Sequence, residues 1–495
     1  MRLASRLIAL GVLWRVLRYA LDFPLSFDEA STAVHFLDRG FRGLLAPLGF
    51  AQVAPLGFLW TELAFVKALG SSEWALRLPS LLESLLSLWL FVRLARRLLD
   101  ERRALLAIAL FASSYYLVRH GVEAKPYGGD VLVALALVSL GHAALERPED
   151  RRLWAALTLA CPLGVWFSFP ACFVAAGVVT VLAIEAMRAR APARTAAAMA
   201  LGLLLAASFA AMYLLVAREQ ARSVPPWMAD YWNDAFPPVT RPARLLGWLL
   251  SIHSGVMLAY PIGAAGGGST LTLLCVLAGV WWMRDRRPLL AMLLAPLAFT
   301  FVAAALRLYP YGDAIRVSLY MAPAFCLLAG AGLVTLFERL LPRRVPGALQ
   351  AAAAGMALLI VGGMAVDVAR PYKAHLDAQT RDLARRLAAG CRPDDVWGVT
   401  VGGADTRLRF YMARFCDSPV RWDTDPEELP PARGTFRLLC RTDKWTELPK
   451  ERLRHQLAAL IPRYGSPRLD VFPLDERVAV HVYTFPGLPH RSAPA

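Results

Sequence analysis

AAAMALGLLLAASFAAMYLLVA, residues 196–217, runs for 22 residues without a charged side chain. A helix rises about 1.5 Å per residue, so about 20 apolar residues cross the roughly 30 Å hydrocarbon layer of a bilayer. The stretch therefore predicts a membrane span. Composition agrees: of 495 residues 57% are hydrophobic and 19% charged, and mean hydropathy is +0.45. A soluble globular protein of this length is less apolar. Ten further segments read as spans, approximately 5–22, 79–98, 103–119, 127–145, 152–169, 170–187, 264–284, 288–306, 317–337 and 348–368. The expected fold is a polytopic α-helical membrane protein with about 11 transmembrane helices. The first segment starts basic, as a signal peptide does, but Arg15 and Arg18 interrupt it and no small-residue cleavage site follows. An uncleaved first span is expected.

Formal net charge is +16. In a membrane protein such an excess points to arginines in cytoplasmic loops and to anionic lipid head groups rather than to nucleic acid. The basic runs RLARRLLDERR (93–103), RARAPART (188–195), RDRR (284–287) and ERLLPRR (338–344) share one side if all are cytoplasmic. The N-terminus is then cytoplasmic, and loops 120–126, 218–263 and 307–316 lie outside, together with the tail from about residue 370. PLGFLWTELAFVKALG, 55–70, carries Glu62 and Lys67 and reads as a helix lying in the outer interface, within a first outer loop 23–78. The expected domains are a membrane module, 1–369, and a small extracytoplasmic α/β domain, 370–495.

In the tail, KAHLDAQTRDLARRLAAG and ERLRHQLAALI read as helices, and VWGVTV, TFRLLCR and RVAVHVYTF as strands. Cys391, Cys416 and Cys440 allow one disulfide there, of undetermined pairing. No CxxC spacing exists, and neither GxGxxG nor GxxxxGK[ST] occurs, so zinc and nucleotide sites of those kinds have no support.

Three outer stretches carry polar groups. In LSFDEASTAVHFLDRG, Ser26 and Glu29 have capping-box spacing, which gives Glu29 a structural explanation, while Asp28 is not needed for the box. RHGVEAKPYGGD, 119–130, offers Arg119, His120, Glu123, Lys125, Tyr127 and Asp130; Asp130 falls inside the next span, where an acid is expensive. RLYPYGDAIRVSLYMAP, 307–323, brings Arg307, Asp313 and Arg316, either as snorkelling anchors or as an anion site. DTD, 423–425, resembles a nucleotide-sugar metal motif but lies between proline-rich turns of the tail.

FDEA (27–30), QVAPLGFLW (52–60), SEWALRLPSLL (72–82), VEAKPYGGD (122–130) and RVSLYMAPAFCLLAGAGL (316–333) together resemble the GT-C fold membrane glycosyltransferases that use polyprenyl phosphate sugars. The nearest branch is the bacterial one related to protein O-mannosyltransferases and the lipid A aminoarabinose transferase. The resemblance covers about the first 335 residues, in the family's order. Where the family usually has His-Pro-Pro-Leu, this chain has Val53-Ala54-Pro55-Leu56, so that histidine's role is missing.

The resemblance implies Asp28 as the catalytic acid/base group, with Glu29 beside it, and Glu123 and Lys125 near the donor phosphate. It implies work at the outer face of a bacterial inner membrane. The implied partners are a polyprenyl phosphate sugar donor, membrane lipids and a lipid, glycan or protein acceptor, with a divalent cation the one cofactor left open. Chemistry asks for the same residue types. Sugar transfer to a hydroxyl needs a base for the acceptor proton and cations for the departing lipid phosphate. Lys125 and Arg316, with Arg307, suit the phosphate; Glu123, Tyr127 and Asp130 suit the sugar or the orientation of Lys125. The alternative is a transporter or flippase of a lipid-linked glycan, which predicts repeated halves and mid-membrane charges along a path.

Overall fold

The computed structural model describes residues 2–399, 405–416, 420–422, 435–443 and 448–486. Helix dominates, as a bilayer requires, because a helix satisfies its own backbone hydrogen bonds. Among the described residues seven helices are long and apolar enough to cross a membrane: Glu73–Leu98, Tyr127–Glu146, Ala171–Arg188, Pro192–Arg222, Arg287–Ala305, Ile315–Leu340 and Pro342–Ala369. The other four expected spans coincide with helices that are shorter or more charged, namely Arg2–Ala20, Glu101–Ser113, Arg151–Phe167 and Thr270–Met283. Residues 103–119 do not form one helix. Ser114 ends Glu101–Ser113 and caps Tyr115–His120, accepting from Leu117 N at 3.5 Å, while Tyr115 N turns to the Pro261 carbonyl at 3.1 Å.

Two compact units emerge, residues 1–22 with 40–371, and residues 23–39 with 372–495. The C-terminal residues of the second unit begin at 372. Segment 23–39 departs from the expected division, grouping with the C-terminal residues rather than with the membrane helices. Its physical reason is a set of hydrogen bonds to helix Thr406–Phe415, described below.

In the first unit, helices Thr270–Met283 and Ala322–Leu340 cross where Gly279 and Gly332 meet, and a Cβ on Gly332 would run into the Cys275 carbonyl. Small residues at such crossings let helix backbones approach closely when lipid supplies no hydrophobic drive. Helix Arg2–Ala20 is tied to the last span, Val345–Ala369, by a buried ion pair between Arg18 and Asp367; Trp14 Nε1 donates to the same carboxylate at 2.7 Å.

The second unit contains a five-stranded sheet of order β2-β1-β3-β5-β4: β1 (Val396–Val399), β2 (Val420–Trp422), β3 (Phe436–Asp443), β4 (Arg468–Pro473) and β5 (Val478–Phe485). β1 runs parallel to β2 and β3, and β5 antiparallel to β3 and β4. Helix Leu448–Tyr464 covers one face through Leu453, Leu460 and Tyr464, packed on Phe436, Leu438 and Phe485. The expected helices of this domain are present as His375–Ala388 and Leu448–Tyr464, and the expected strands as β1, β3 and β5. The DTD stretch, 423–425, lies outside the described residues.

Cys391 and Cys416 form a disulfide 25 residues apart, and Cys440 is buried in β3. A loop of that length, once closed, destabilises the unfolded chain by about 3.5 kcal/mol in the chain-entropy account. Cys391→Ser is expected to lower the unfolding free energy of this domain by about that amount, read as an earlier thermal transition that reductant reproduces in the wild type.

Candidate active site

Asp28 lies in the short helix Phe27–Ala33. The capping box is present: Glu29 N donates to Ser26 Oγ at 3.3 Å, and Ser26 N donates to Glu29 Oε2 at 2.9 Å. Glu29 is 1% exposed and taken up by the cap, whereas Asp28, one residue earlier, is half-buried and is not a member of the box.

This helix is gripped by helix Thr406–Phe415. Leu25 N donates to Tyr411 Oη at 2.8 Å, Thr406 Oγ1 donates to the Phe27 carbonyl at 3.4 Å, and the hydroxyls of Ser31 and Thr406 meet at 3.0 Å. The gripping helix is fixed in turn. Arg407 donates from Nε and Nη2 to the two oxygens of Asp405, at 2.8 and 2.5 Å, and from Nη1 to Asp377 at 2.5 Å. All three side chains are buried. Burial alone would raise the Asp405 pKa, but the hydrogen bonds and charge of Arg407, with Arg441, outweigh it and hold the carboxyl below its usual range. At Asp377 burial outweighs Arg407, and the carboxyl sits above its usual range.

In the first unit, the 119–130 stretch folds back on itself. His120 Nδ1 lies 2.8 Å from Glu123 Oε2, Arg119 Nε 3.5 Å from Glu123 Oε1, and Arg119 Nη1 donates to Tyr115 Oη at 2.5 Å. The His120 ring stacks on Tyr116 and meets Tyr127 edge-on. Lys125, 6% exposed, donates from Nζ to Gln52 Oε1 at 2.5 Å. Gln52 follows Phe50 and Ala51, both at positive φ, 59° and 56°, a conformation that costs energy in side-chain-bearing residues. The next turn is held by Gln220, whose amide brackets Ala54, accepting from its N–H at 3.0 Å and donating to its carbonyl at 3.1 Å. Arg18 is within electrostatic reach of Glu123, Arg119 and Arg77, so the cations and the acid share one neighbourhood.

Asp130 is buried beside Glu83, and a Cβ on Gly128 or Gly129 would stand 3.2 Å from a Glu83 carboxylate oxygen. Arg307 donates to Asn233 Oδ1 at 3.2 Å and lies over Phe236, and Arg316 donates to Tyr231 Oη at 3.1 Å and lies over Trp232. The structure thus groups Glu123, Lys125 and Tyr127 in one stretch, places Asp130 beside Glu83, links the two arginines to residues 231–236, and assigns Asp28 and Glu29 to the second unit. Among the described residues no group of three or more His, Cys, Asp or Glu is arranged to hold a metal ion.

Sequence reading passed over Gln52 and Arg77, although both stand in stretches that carry the family resemblance. It also passed over Glu83, whose signal was an acid inside an expected span. Tyr411 and Arg407 gave no signal, because nothing local marks a residue that touches a segment hundreds of positions earlier.

Comparison with known proteins follows the same lines. ArnT from Cupriavidus metallidurans, solved with undecaprenyl phosphate, superposes with a TM-score of 0.60 over 97% of each chain at 15% identity. The fold is that of the GT-C membrane glycosyltransferases. The Archaeoglobus fulgidus oligosaccharyltransferase shares the GT-C architecture. Its complex with zinc and sulfate gives a TM-score of 0.51 at 13% identity, over 95% of this chain and 72% of that one. Its complex with an inhibitory peptide and a dolichol-phosphate gives 0.50 at 11% identity, over 94% and 72%. Residues 53–217 match the family model described as dolichyl-phosphate-mannose-protein mannosyltransferase. That match includes the Lys125 stretch and begins after the Asp28 helix. The search of curated proteins finds no match.

The depressed Asp405 pKa fixes a sign. Its stabilisation is whole above the ordinary carboxylate value of about 3.9 and is lost as pH falls through the lower folded value. Asp405→Asn is expected to cost about 3 kcal/mol at pH 7, as removal of one partner from a buried pair does. It should also flatten the loss of stability of the second unit below about pH 4, measured by denaturant unfolding across pH.

Proposed function

We propose that the chain is an integral membrane glycosyltransferase that moves a sugar from a polyprenyl phosphate to an acceptor hydroxyl at the outer face of a bacterial inner membrane. The observation that carries the reading is the family-model match over 53–217 on a GT-C fold that extends along the chain. Undecaprenyl phosphate in ArnT, and dolichol-phosphate and a peptide in the Archaeoglobus fulgidus oligosaccharyltransferase, support a lipid-phosphate donor and a lipid, glycan or protein acceptor.

The chemistry is a single displacement. The acceptor oxygen bonds to the anomeric carbon as the bond from that carbon to the phosphate oxygen breaks, and the configuration inverts. Asp28 takes the acceptor proton; half-buried, and outside the capping box that holds Glu29, it is the acid of the pair suited to this. Lys125, presented by Gln52, binds the donor phosphate and stays on it as the polyprenyl phosphate departs. Glu123, fixed by His120 and Arg119, Tyr127 and Asp130 orient the cations and the sugar. Arg316, with Arg307, adds positive charge for the same phosphate. The bond energy of the donor drives transfer, so no nucleotide is required.

Asp28→Asn is expected to lower transfer from an undecaprenyl phosphate sugar by about 10²- to 10⁴-fold, the usual worth of a general base, with donor binding retained. Lys125→Ala should instead raise the donor KM by about 10- to 100-fold, as loss of a charged hydrogen bond does. Wild-type turnover in Asp28→Asn contradicts the assignment of the base.

A further inference from the structure

The helix that carries Asp28 has only seven residues, Phe27–Ala33. Helices shorter than about 12 residues do not hold their shape unaided in water. Its anchorage comes from helix Thr406–Phe415 of the C-terminal residues. Tyr411 and Thr406 are 0% and 1% exposed, so no water competes for their hydroxyls. Tyr411 Oη accepts from Leu25 N, and Thr406 Oγ1 donates to the carbonyl of Phe27. These two contacts bracket Asp28 on its N-terminal side, and the Ser31 to Thr406 hydroxyl contact closes the C-terminal side. The Arg407 guanidinium lies over the Phe27 ring at 5.7 Å, and Arg409 stands 3.6 Å from Asp38 at the end of the segment.

The gripping helix is itself a rigid platform. Asp405 caps its start, accepting from Arg407 N at 2.9 Å, the Asp405–Arg407–Asp377 cluster fastens its first turn to helix His375–Ala388, and the Cys416 that ends it is bonded to Cys391. Backbone atoms of the Asp28 turn are therefore held by side chains that are fixed at both ends of their own helix.

We propose that helix Thr406–Phe415 positions Asp28 for proton transfer, with Tyr411 and Thr406 as positioning residues, so that the C-terminal domain is part of the transferase machinery. The proposal rests on the reading of Asp28 as the base. A base works only from hydrogen-bonding distance of the proton it takes, and a displacement of about 1 Å costs about 100-fold in rate. Donor binding through Lys125 uses other residues, so loosening the grip acts on kcat and leaves the donor KM alone.

The test uses the full chain in lipid nanodiscs with an undecaprenyl phosphate sugar and an acceptor. Tyr411→Phe and Thr406→Val are expected to lower kcat about 10- to 100-fold with the donor KM within about twofold of wild type, while Thr406→Ser, which keeps the hydroxyl, restores turnover. Amide exchange over residues 25–33 should quicken in Tyr411→Phe and stay unchanged over 116–130. Wild-type turnover in Tyr411→Phe and Thr406→Val, beside an inactive Asp28→Asn, overturns the positioning role alone. Loss of kcat and donor KM together, with faster exchange along the whole chain, overturns it as well, because the defect is then unfolding. Full turnover in Asp28→Asn removes the base assignment and the proposal with it.

Discussion

A charge taken out of water costs several kcal/mol unless a partner meets it in good geometry, and this structure is organised around that constraint. Arg18 is buried in the first helix, and Asp367 answers it from the last span. Arg407 is buried in the C-terminal unit only because Asp405 and Asp377 enclose its fork. Lys125 is nearly enclosed and rests on an amide oxygen of Gln52, and Glu123 is met by His120 and Arg119. Each pairing joins distant parts of the chain or stiffens a short loop, so the charges that composition makes scarce do much of the work of arrangement.

The same constraint explains how much was readable beforehand. Long uncharged runs such as 196–217 announce themselves, because the bilayer imposes one length and one polarity on them. Ser26 and Glu29 were legible because a capping box is local, and the strands β1, β3 and β5 because alternation and β-branching are local too. The break at Ser114 was not, since it depends on the Pro261 carbonyl across the fold. The short strand β2 and the polar strand β4 lacked a pattern strong enough to stand out. Within the candidate site the VEAKPYGGD residues were found as a group, while Gln52, Gln220 and Tyr411 were not, because their parts are set by tertiary contacts.

The division of the chain into two units recasts the C-terminal domain. Read from composition, residues beyond 370 form an appendage to a membrane module. By contact, the domain includes residues 23–39, and the first helix after the first membrane segment is built into it. The FDEA helix thus belongs to the unit that the Cys391–Cys416 disulfide closes. Disulfides persist outside the cytoplasm, which suits the proposal of work at the outer face.

The most direct test of the central claim is release of undecaprenyl phosphate. Purified wild-type protein in vesicles is incubated with a panel of undecaprenyl phosphate sugars, with and without candidate acceptors. The account predicts that at least one donor is consumed, with undecaprenyl phosphate formed in step with sugar transfer or hydrolysis. Movement of intact donor between leaflets, with no sugar released from any member of the panel, would contradict it and identify a carrier instead.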